Sequence, residues 1–534
     1  MSLRYRFIDL ASIADESELL GAIAPPASGM QAFALMGQPL SPFKHVVQHL
    51  RKIGAQTLLI QDSVRDPDFL AEHEAFYSKQ HRVIPRLCWR LHAFAAAAPI
   101  VEKGKELTAR AVLDFLDTVA DPDRQYLGFV TIRPLRHAPI GASILPPPHL
   151  GDVTCLERFP VHIAGRAFYV SGTPYLQQDN AVGACAQASI WIALRTQMKR
   201  VGNTAYTPAE LTRAATRYMA FDRVYPGRQG LVIEQMLEAI RSSGHDPLTL
   251  TCEHGVPGGA PITAAYVIEQ AMPYIESGLP VVATLFPPSG GHAVVCIGRQ
   301  YAARPIVDTT RDLKPLGIRY RVAADWIETL VIHNDNTGPY LTLGSGDPKS
   351  NVYCLEHARN LIIPLPETVH MTAKEAEQAS LKAIAFSCFF FSQYDSTKPP
   401  RLKPETDIVL RTLLVRRHAF RRWALEDAEL DPALKDLYRT LELPRLIWFV
   451  ELHDAQLYDP RNPNTCSRIG EIVLDASADS LHGDVTLSAR LSRHTLPSYS
   501  GPQGILLLDG GIEAEQLLAL SSGVPGKSLA IPWE

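Results

Sequence analysis

Along the chain, short apolar runs alternate with longer stretches of helical spacing, and the order of the two changes from one third of the sequence to the next. In the first third, Phe43–Lys52, Asp68–Gln80 and Leu107–Val119 carry apolar residues at the three-to-four spacing of a one-sided helix. Between them Gln56-Thr57-Leu58-Leu59-Ile60-Gln61 reads as a buried strand, and Tyr126–Ile132 alternates like a strand before stopping at Arg133-Pro134. This interleaving predicts an α/β unit over residues 1–140. Ala138–Gly151 holds four prolines and no clear period, which predicts a connector.

From residue 141 to 365 the pattern predicts helices first and antiparallel strands afterwards, an α+β layout. Pro208–Tyr218 begins behind Thr207, a good N-cap; Val232–Ser243 stops before Gly244, and Ala264–Ser277 stops before Gly278. Pro280–Phe286 and His292–Gly298 then read as strands flanking the turn Pro287-Pro288-Ser289-Gly290-Gly291. Ile318–Val322 and Thr329–His333 read as further strands, with room for an inserted hairpin around Ala302–Ile327. Residues 366–534 predict a third, α+β unit. Its helices are Ala373–Phe390 behind Thr372, Ile408–Trp423 and Pro432–Leu441; its strands are Leu446–Leu452, Glu471–Leu474 and Gly504–Leu508.

One stretch departs from the one-sided pattern. From Ala181 to Leu194 only Gln187 and Ser189 are clearly polar, and a helix apolar all round is a buried helix. The polar, turn-prone segment Gln177-Gln178-Asp179-Asn180 leads into it, and Cys185 lies near the join. A thiol at a helix start feels the positive end of the macrodipole, which favours thiolate. Cys185 is therefore a candidate nucleophile.

Composition narrows the setting. The chain has 534 residues, 46% hydrophobic and 20% charged, with a formal net charge of −4. That balance gives no reason to expect nucleic acid or an acidic membrane surface as partner. The eight cysteines are scattered without a C-x-x-C pair, which fits a reducing compartment. With no apolar signal segment at the N-terminus and no apolar run long enough to cross a bilayer, the expected location is the cytoplasm.

A cysteine nucleophile needs a base, a group to orient that base and a donor for the oxyanion. His292 follows the Gly290-Gly291 turn and opens an apolar strand, which would hold an imidazole at a cleft edge. Asp335 lies just past a strand, with His333 and Asn334 as competitors for the orienting role. Gln178 or Gln177, shortly before the cysteine, offers a side-chain amide for the oxyanion.

In this order the residues resemble papain-like cysteine peptidases, and within them the bacterial double-glycine peptidases that trim bacteriocin leaders. The residues that carry the resemblance are Gln178…Cys185-Ala186-Gln187-Ala188, Gly291-His292-Ala293-Val294-Val295 and Asp335-Asn336-Thr337-Gly338, within roughly residues 170 to 345. The family usually has glycine after the cysteine, where this chain has Ala186. The resemblance implies a papain-like core with helices on an antiparallel sheet. It also implies Cys185 as nucleophile, His292 as base, Asp335 as orienting group and Gln178 (or Gln177) in the oxyanion hole, with no cofactor and no metal. The expected substrate is a peptide or protein, cleaved at a peptide or isopeptide bond. The same machinery would serve an amidase or acyltransferase, and a papain-like scaffold without catalysis is the third reading. The transporter parts that accompany many leader peptidases are absent from the sequence. The flanking units would select substrate or meet a protein partner.

Other signals are weaker. Gly526-Lys527-Ser528 lacks the leading glycine of a phosphate loop. Gly255–Gly259 reads as a loop. Cys252-x-His254 and Cys354-x-x-His357 are isolated pairs without the second pair that zinc needs. Arg416-Arg417-His418 with Arg421-Arg422 reads as a solvated or interface face of a helix, and Glu451, His453 and Asp454 as a satisfied polar edge. His73, His81 and His92 are dispersed.

Overall fold

The computed structural model describes residues 4–23, 41–79, 81, 83–98, 107–135, 138–178, 185–217, 230–252, 261–308, 310–313, 317–394, 407–428, 430, 432–462, 464–479, 485–491, 494–497, 527–529 and 533. Three sheets, built almost wholly from antiparallel pairs, are packed with helices, so the class is α+β. Among the described residues no helix is long and apolar enough to cross a membrane.

The first sheet is made of β1 (Tyr5–Asp9), β2 (Thr57–Val64), β3 (Cys88–Phe94), β4 (Tyr126–Ile132), β5 (Ser143–Leu145), β6 (Glu157–Ile163) and β7 (Arg166–Tyr175), in the order β1-β2-β3-β4-β5-β7-β6. Helices α1 (Glu16–Ile23), α2 (Ser41–Lys52), α3 (Pro67–Ala75) and α4 (Ala109–Thr118) lie between the earlier strands. The alternation of helix and strand suggested an α/β unit, yet every pairing in the sheet is antiparallel. A strand buried on both faces reads as a continuous apolar run in either arrangement, so direction was not legible from the run itself. The sheet continues through the proline-rich connector as far as Tyr175.

The middle sheet contains β8 (His245–Thr251), β9 (Val281–Leu285), β10 (His292–Tyr301), β13 (Ile327–Asn334), β14 (Gly338–Leu343) and β15 (Ala358–Pro366), in the order β14-β13-β10-β9-β15-β8. Its strand β10 explains the packing on both sides. Ala293, Val295 and Ile297 join the core shared with α5 (Cys185–Val201) and the N-terminal helices. The alternate residues Val294 and Cys296 join the core shared with α8 (Ala264–Glu276) and the C-terminal strands. Helices α6 (Pro208–Ala215) and α7 (Ile233–Ser242) cover α5. The start of α6 follows from its sequence: Thr207 and Glu210 form a reciprocal capping box with Pro208 in the first turn.

Between β10 and β13 the chain makes the expected hairpin, β11 (Arg311–Leu313) and β12 (Ile318–Val322). The hairpin leaves the middle sheet. Its β12 pairs in parallel with β16 (Asp407–Arg416), and the third sheet runs β11-β12-β16-β17-β18-β19-β20. The remaining members are β17 (Leu446–Asp454), β18 (Arg468–Asp475), β19 (Thr486–Leu491) and β20 (His494–Pro497). Residues Ile408–Trp423, expected as one helix, divide into β16 and the helix α10 (Arg417–Glu426), which follows α9 (Ala373–Tyr394) and precedes α11 (Pro432–Thr440). The run Ile408–Arg416, rich in β-branched residues and leucine, forms nine register pairs with β17 that a helix would forfeit. Glu451 and His453 lie fully buried on β17, inside the sheet rather than at its edge, and Glu451 is held by Arg411 at 2.8 Å. The expected strand Gly504–Leu508, the loop Gly255–Gly259 and Gly526 lie outside the described residues.

Candidate active site

Cys185 is the first residue of α5, and that helix lies across β10. Ser189, one turn further on, donates from its hydroxyl to the Ala293 carbonyl at 3.1 Å and fixes the helix start beside the strand start. His292 opens β10 and pairs with Leu285 across the turn. Gly291 has no side chain where a Cβ would meet the Phe286 ring at 3.0 Å, so this ring can lie against the turn just before the histidine. Asn334 closes β13, and Asp335 follows it. The fold thus brings Cys185, His292 and Asp335 to one end of α5, β10 and β13.

The hydrogen bonds around the imidazole settle its tautomer. The backbone N–H of Asn336, which can only donate, points at Asn334 Oδ1 over 3.0 Å. That atom is therefore the amide oxygen, and it also lies 3.0 Å from His292 Nε2. Nε2 carries the proton and donates; Nδ1 is left with its lone pair. Asn336 Nδ2 faces Nδ1 at 3.4 Å, and Asn336 Oδ1 accepts from Gln178 Nε2 at 2.7 Å. A directed chain runs from Gln178 through Asn336 and His292 to Asn334.

Asp335 stands beside this chain. Its Oδ1 is 3.4 Å from His292 Nε2, longer than the bond to Asn334, and neither carboxyl oxygen has a hydrogen-bonding side-chain partner. Burial raises its pKa from 3.8 to about 8, with partial relief from the amides of Asp335 and Asn336. The same burial holds His292 below its ordinary range, against the pull of Asn334. His333 is not joined to His292. It is buried edge-on to Tyr175 and Tyr340, and burial pushes it down to about 3.

The thiol departs from the expectation of a depressed pKa. Burial, with Asp335 nearby, pushes Cys185 up to about 11, while the backbone amides of Ala293, Ala186 and Cys185 itself pull it back. Desolvation of the anion outweighs the helix-end field in this closed arrangement. Among the described residues no hydrogen bond joins the thiol to the imidazole. The two glutamines separate clearly. Gln177 is buried; its Oε1 accepts from the Ile140 amide at 3.2 Å and its carbonyl from Arg133 at 2.6 Å. Gln178 faces the His292 cluster.

Sequence reading missed two participants. Asn336 stands in the sequence only as part of the stretch Asp335-Asn336-Thr337-Gly338, with no role of its own. Tyr353 stacks on the His292 ring with 4.9 Å between centres and 28° between planes, and its phenol is raised by burial and by the nearby Asp335 and Cys185. Tyr353 arrives from the loop between β14 and β15. No periodic signal marks that loop, but it is closed by Leu355 N–H donating to the Gly344 carbonyl and by Glu356 accepting from Ser345 and Gly346. In the same loop Cys354 Sγ lies 3.4 Å from His357 Nδ1, and His357 Nε2 donates to the Pro348 carbonyl. That pair anchors the loop, and among the described residues no group of three or more metal-ligating side chains exists.

Compared with known proteins, the chain matches no family model and no curated sequence.

Proposed function

We propose that the protein is a cysteine-dependent acyl hydrolase of papain-like design, with a peptide or isopeptide bond as substrate. The observation that supports this reading most is the His292 tautomer. With Nε2 committed to Asn334, Nδ1 is the ring nitrogen that keeps a lone pair, covered at rest by Asn336 Nδ2, and it belongs to the residue next to the amide that faces the Cys185 thiol.

In the proposed reaction His292 Nδ1 removes the thiol proton, and the thiolate attacks the carbonyl carbon. The oxyanion is held by the Cys185 N–H and, once it leaves Asn336, by the Gln178 amide. His292 then protonates the leaving amine, and water, activated by the same Nδ1, releases the acyl group. Asn336 caps both working groups in the resting state. A rotation of its side chain would free the base and the oxyanion donor together. The flanking units would select the substrate and narrow the approach to the cleft.

Iodoacetamide labelling followed site by site tests the reading. Cys185 is expected to react faster than Cys466, which is exposed. His292→Ala should slow Cys185 labelling at least tenfold, and Asn336→Ala should accelerate it. Hydrolysis of a peptide library, set against small acyl donors, separates peptidase from amidase or acyltransferase. The high resting pKa of the thiol favours a second reading, a papain-like scaffold without catalysis. It gains the ground if Cys185 labels no faster than the buried cysteines and neither variant alters the rate.

A further inference from the structure

One cavity of substantial size lies away from the cysteine. It has a volume of about 580 Å³ and lies where the three sheets meet, with Arg200, Arg299, Arg411, Glu276, Tyr458 and Trp533 in its wall. That size suits a small organic molecule. Cys185, His292 and Asn334 are not in the wall. Arg200 lies near the far end of α5 from Cys185, about 20–25 Å along the helix.

The buried carboxylate of the wall is spent, while two of its guanidinium groups keep a donor. Glu276 is buried, and both its oxygens are occupied. Oε1 accepts from Arg299 Nε at 2.7 Å and from the Tyr301 hydroxyl; Oε2 accepts from Arg411 Nε at 3.1 Å and Nη2 at 2.6 Å. Arg411 Nη1 is used on Glu451 and on the Leu529 carbonyl. Arg200 uses Nε on Glu157 and Nη1 on the Gly278 carbonyl, leaving Nη2. Arg299 uses Nη1 on the Gly151 carbonyl, and again Nη2 is left. The Tyr458 hydroxyl is buried and has no hydrogen-bond partner. That hydroxyl is sealed off from the cavity as well as from solvent, so the donors left for an entering molecule are the two Nη2 groups.

We infer that this cavity binds a small organic oxyanion, a carboxylate or a phosphate ester, with the spare edges of Arg200 and Arg299 as donors. Guanidinium edges suit both chemistries, and the volume calls for a molecule larger than inorganic phosphate. The inference does not depend on the role of Cys185.

Isothermal titration and thermal melting of the full chain at constant ionic strength test it, with citrate, AMP and inorganic phosphate as probes. Citrate or AMP is expected to bind and to raise the melting temperature, each standing for one of the two chemistries. Arg299→Lys, which keeps the charge and removes Nη2, should bind the organic probe about 5- to 10-fold more weakly, with its own melting curve as the check on folding. Arg200→Lys, which keeps the charge and removes Nη2, should weaken binding as well. The inference is overturned if neither organic anion binds, if only inorganic phosphate does, or if both variants bind as the parent does.

Discussion

Asn334 and Asp335 are neighbours in sequence and rivals at one imidazole. The amide oxygen of Asn334 is closer and is itself locked by the Asn336 N–H, whereas the Asp335 carboxyl is a buried group without a hydrogen-bonding side chain. If the acyl-hydrolase reading holds, Asn334→Ala should lower peptide hydrolysis by about 10²-fold or more, and Asp335→Asn by about tenfold or less. The reverse order in kcat would return the orienting role to Asp335. The carboxyl also leaves a mark on stability. Its folded pKa is raised from 3.8 to about 8, so between those values the folded chain holds a proton that the unfolded chain has lost. Stability therefore falls as pH rises through that window, at most by about 1.4 kcal/mol per unit from this group. Asp335→Asn should flatten that slope in urea unfolding between pH 5 and 8, and a slope identical to the parent's would show that the carboxyl ionises in the fold after all. At this scale the sequence carried the residue types but not their hydrogen bonds. Cys185, His292 and Asp335 stood out by the elements they terminate. Asn336 and Tyr353 come from loops, where no period announces which side chain turns inward.

Elements were legible where a local signal and the tertiary contacts agree. Thr207 with Glu210 and Thr372 with Glu375 cap the helices that their spacing announces. Tyr126–Ile132 is the strand its alternation predicts. The reading failed at Ile408–Trp423, where a leucine-rich run with no internal breaker suits a helix as well as a central strand, and β17 decides the outcome. It also passed over β8 and β15, whose prolines 247, 364 and 366 argue against strands although the two pair with each other along seven positions. Close approach between elements was invisible too. Gly298 on β10 faces the Asp152 carbonyl so closely that an added Cβ would come within 2.0 Å of that oxygen, and Val153 bridges to the same glycine. Gly298→Ala is expected to cost about 1–3 kcal/mol or more, read from the urea midpoint, because backbone rather than a flexible side chain must move. An unchanged midpoint would mean that the two segments are held apart more loosely than this.

At the scale of the whole molecule the regions marked at residues 140 and 365 share their cores. One apolar cluster runs from Leu10 through Trp191 to Val295, and another from Val267 through Val294 to Trp448 and Ile472. The changes in helix and strand pattern that suggest boundaries follow chain order, whereas burial follows contacts, and the hairpin at 311–322 crosses from one region to the next. A fragment ending at residue 365 would lose the partner of β12 and one side of the second cluster. It is expected to precipitate or to bind a dye for exposed apolar surface, and a soluble, cooperatively melting fragment would refute this shared-core account.

The parallel pairing of β12 with β16 also sets a timetable for synthesis. Arg319 meets Asp407 across a span of 88 residues, held by two guanidinium bonds as well as the ladder. While the ribosome is still adding that span, the β11–β12 hairpin waits with one bare edge, the kind of surface that recruits chaperones. The middle of this protein cannot be completed in the order in which it is translated. Stalled nascent chains ending near residue 400 should remain open to protease in the hairpin, and those extended well beyond residue 454 should close it.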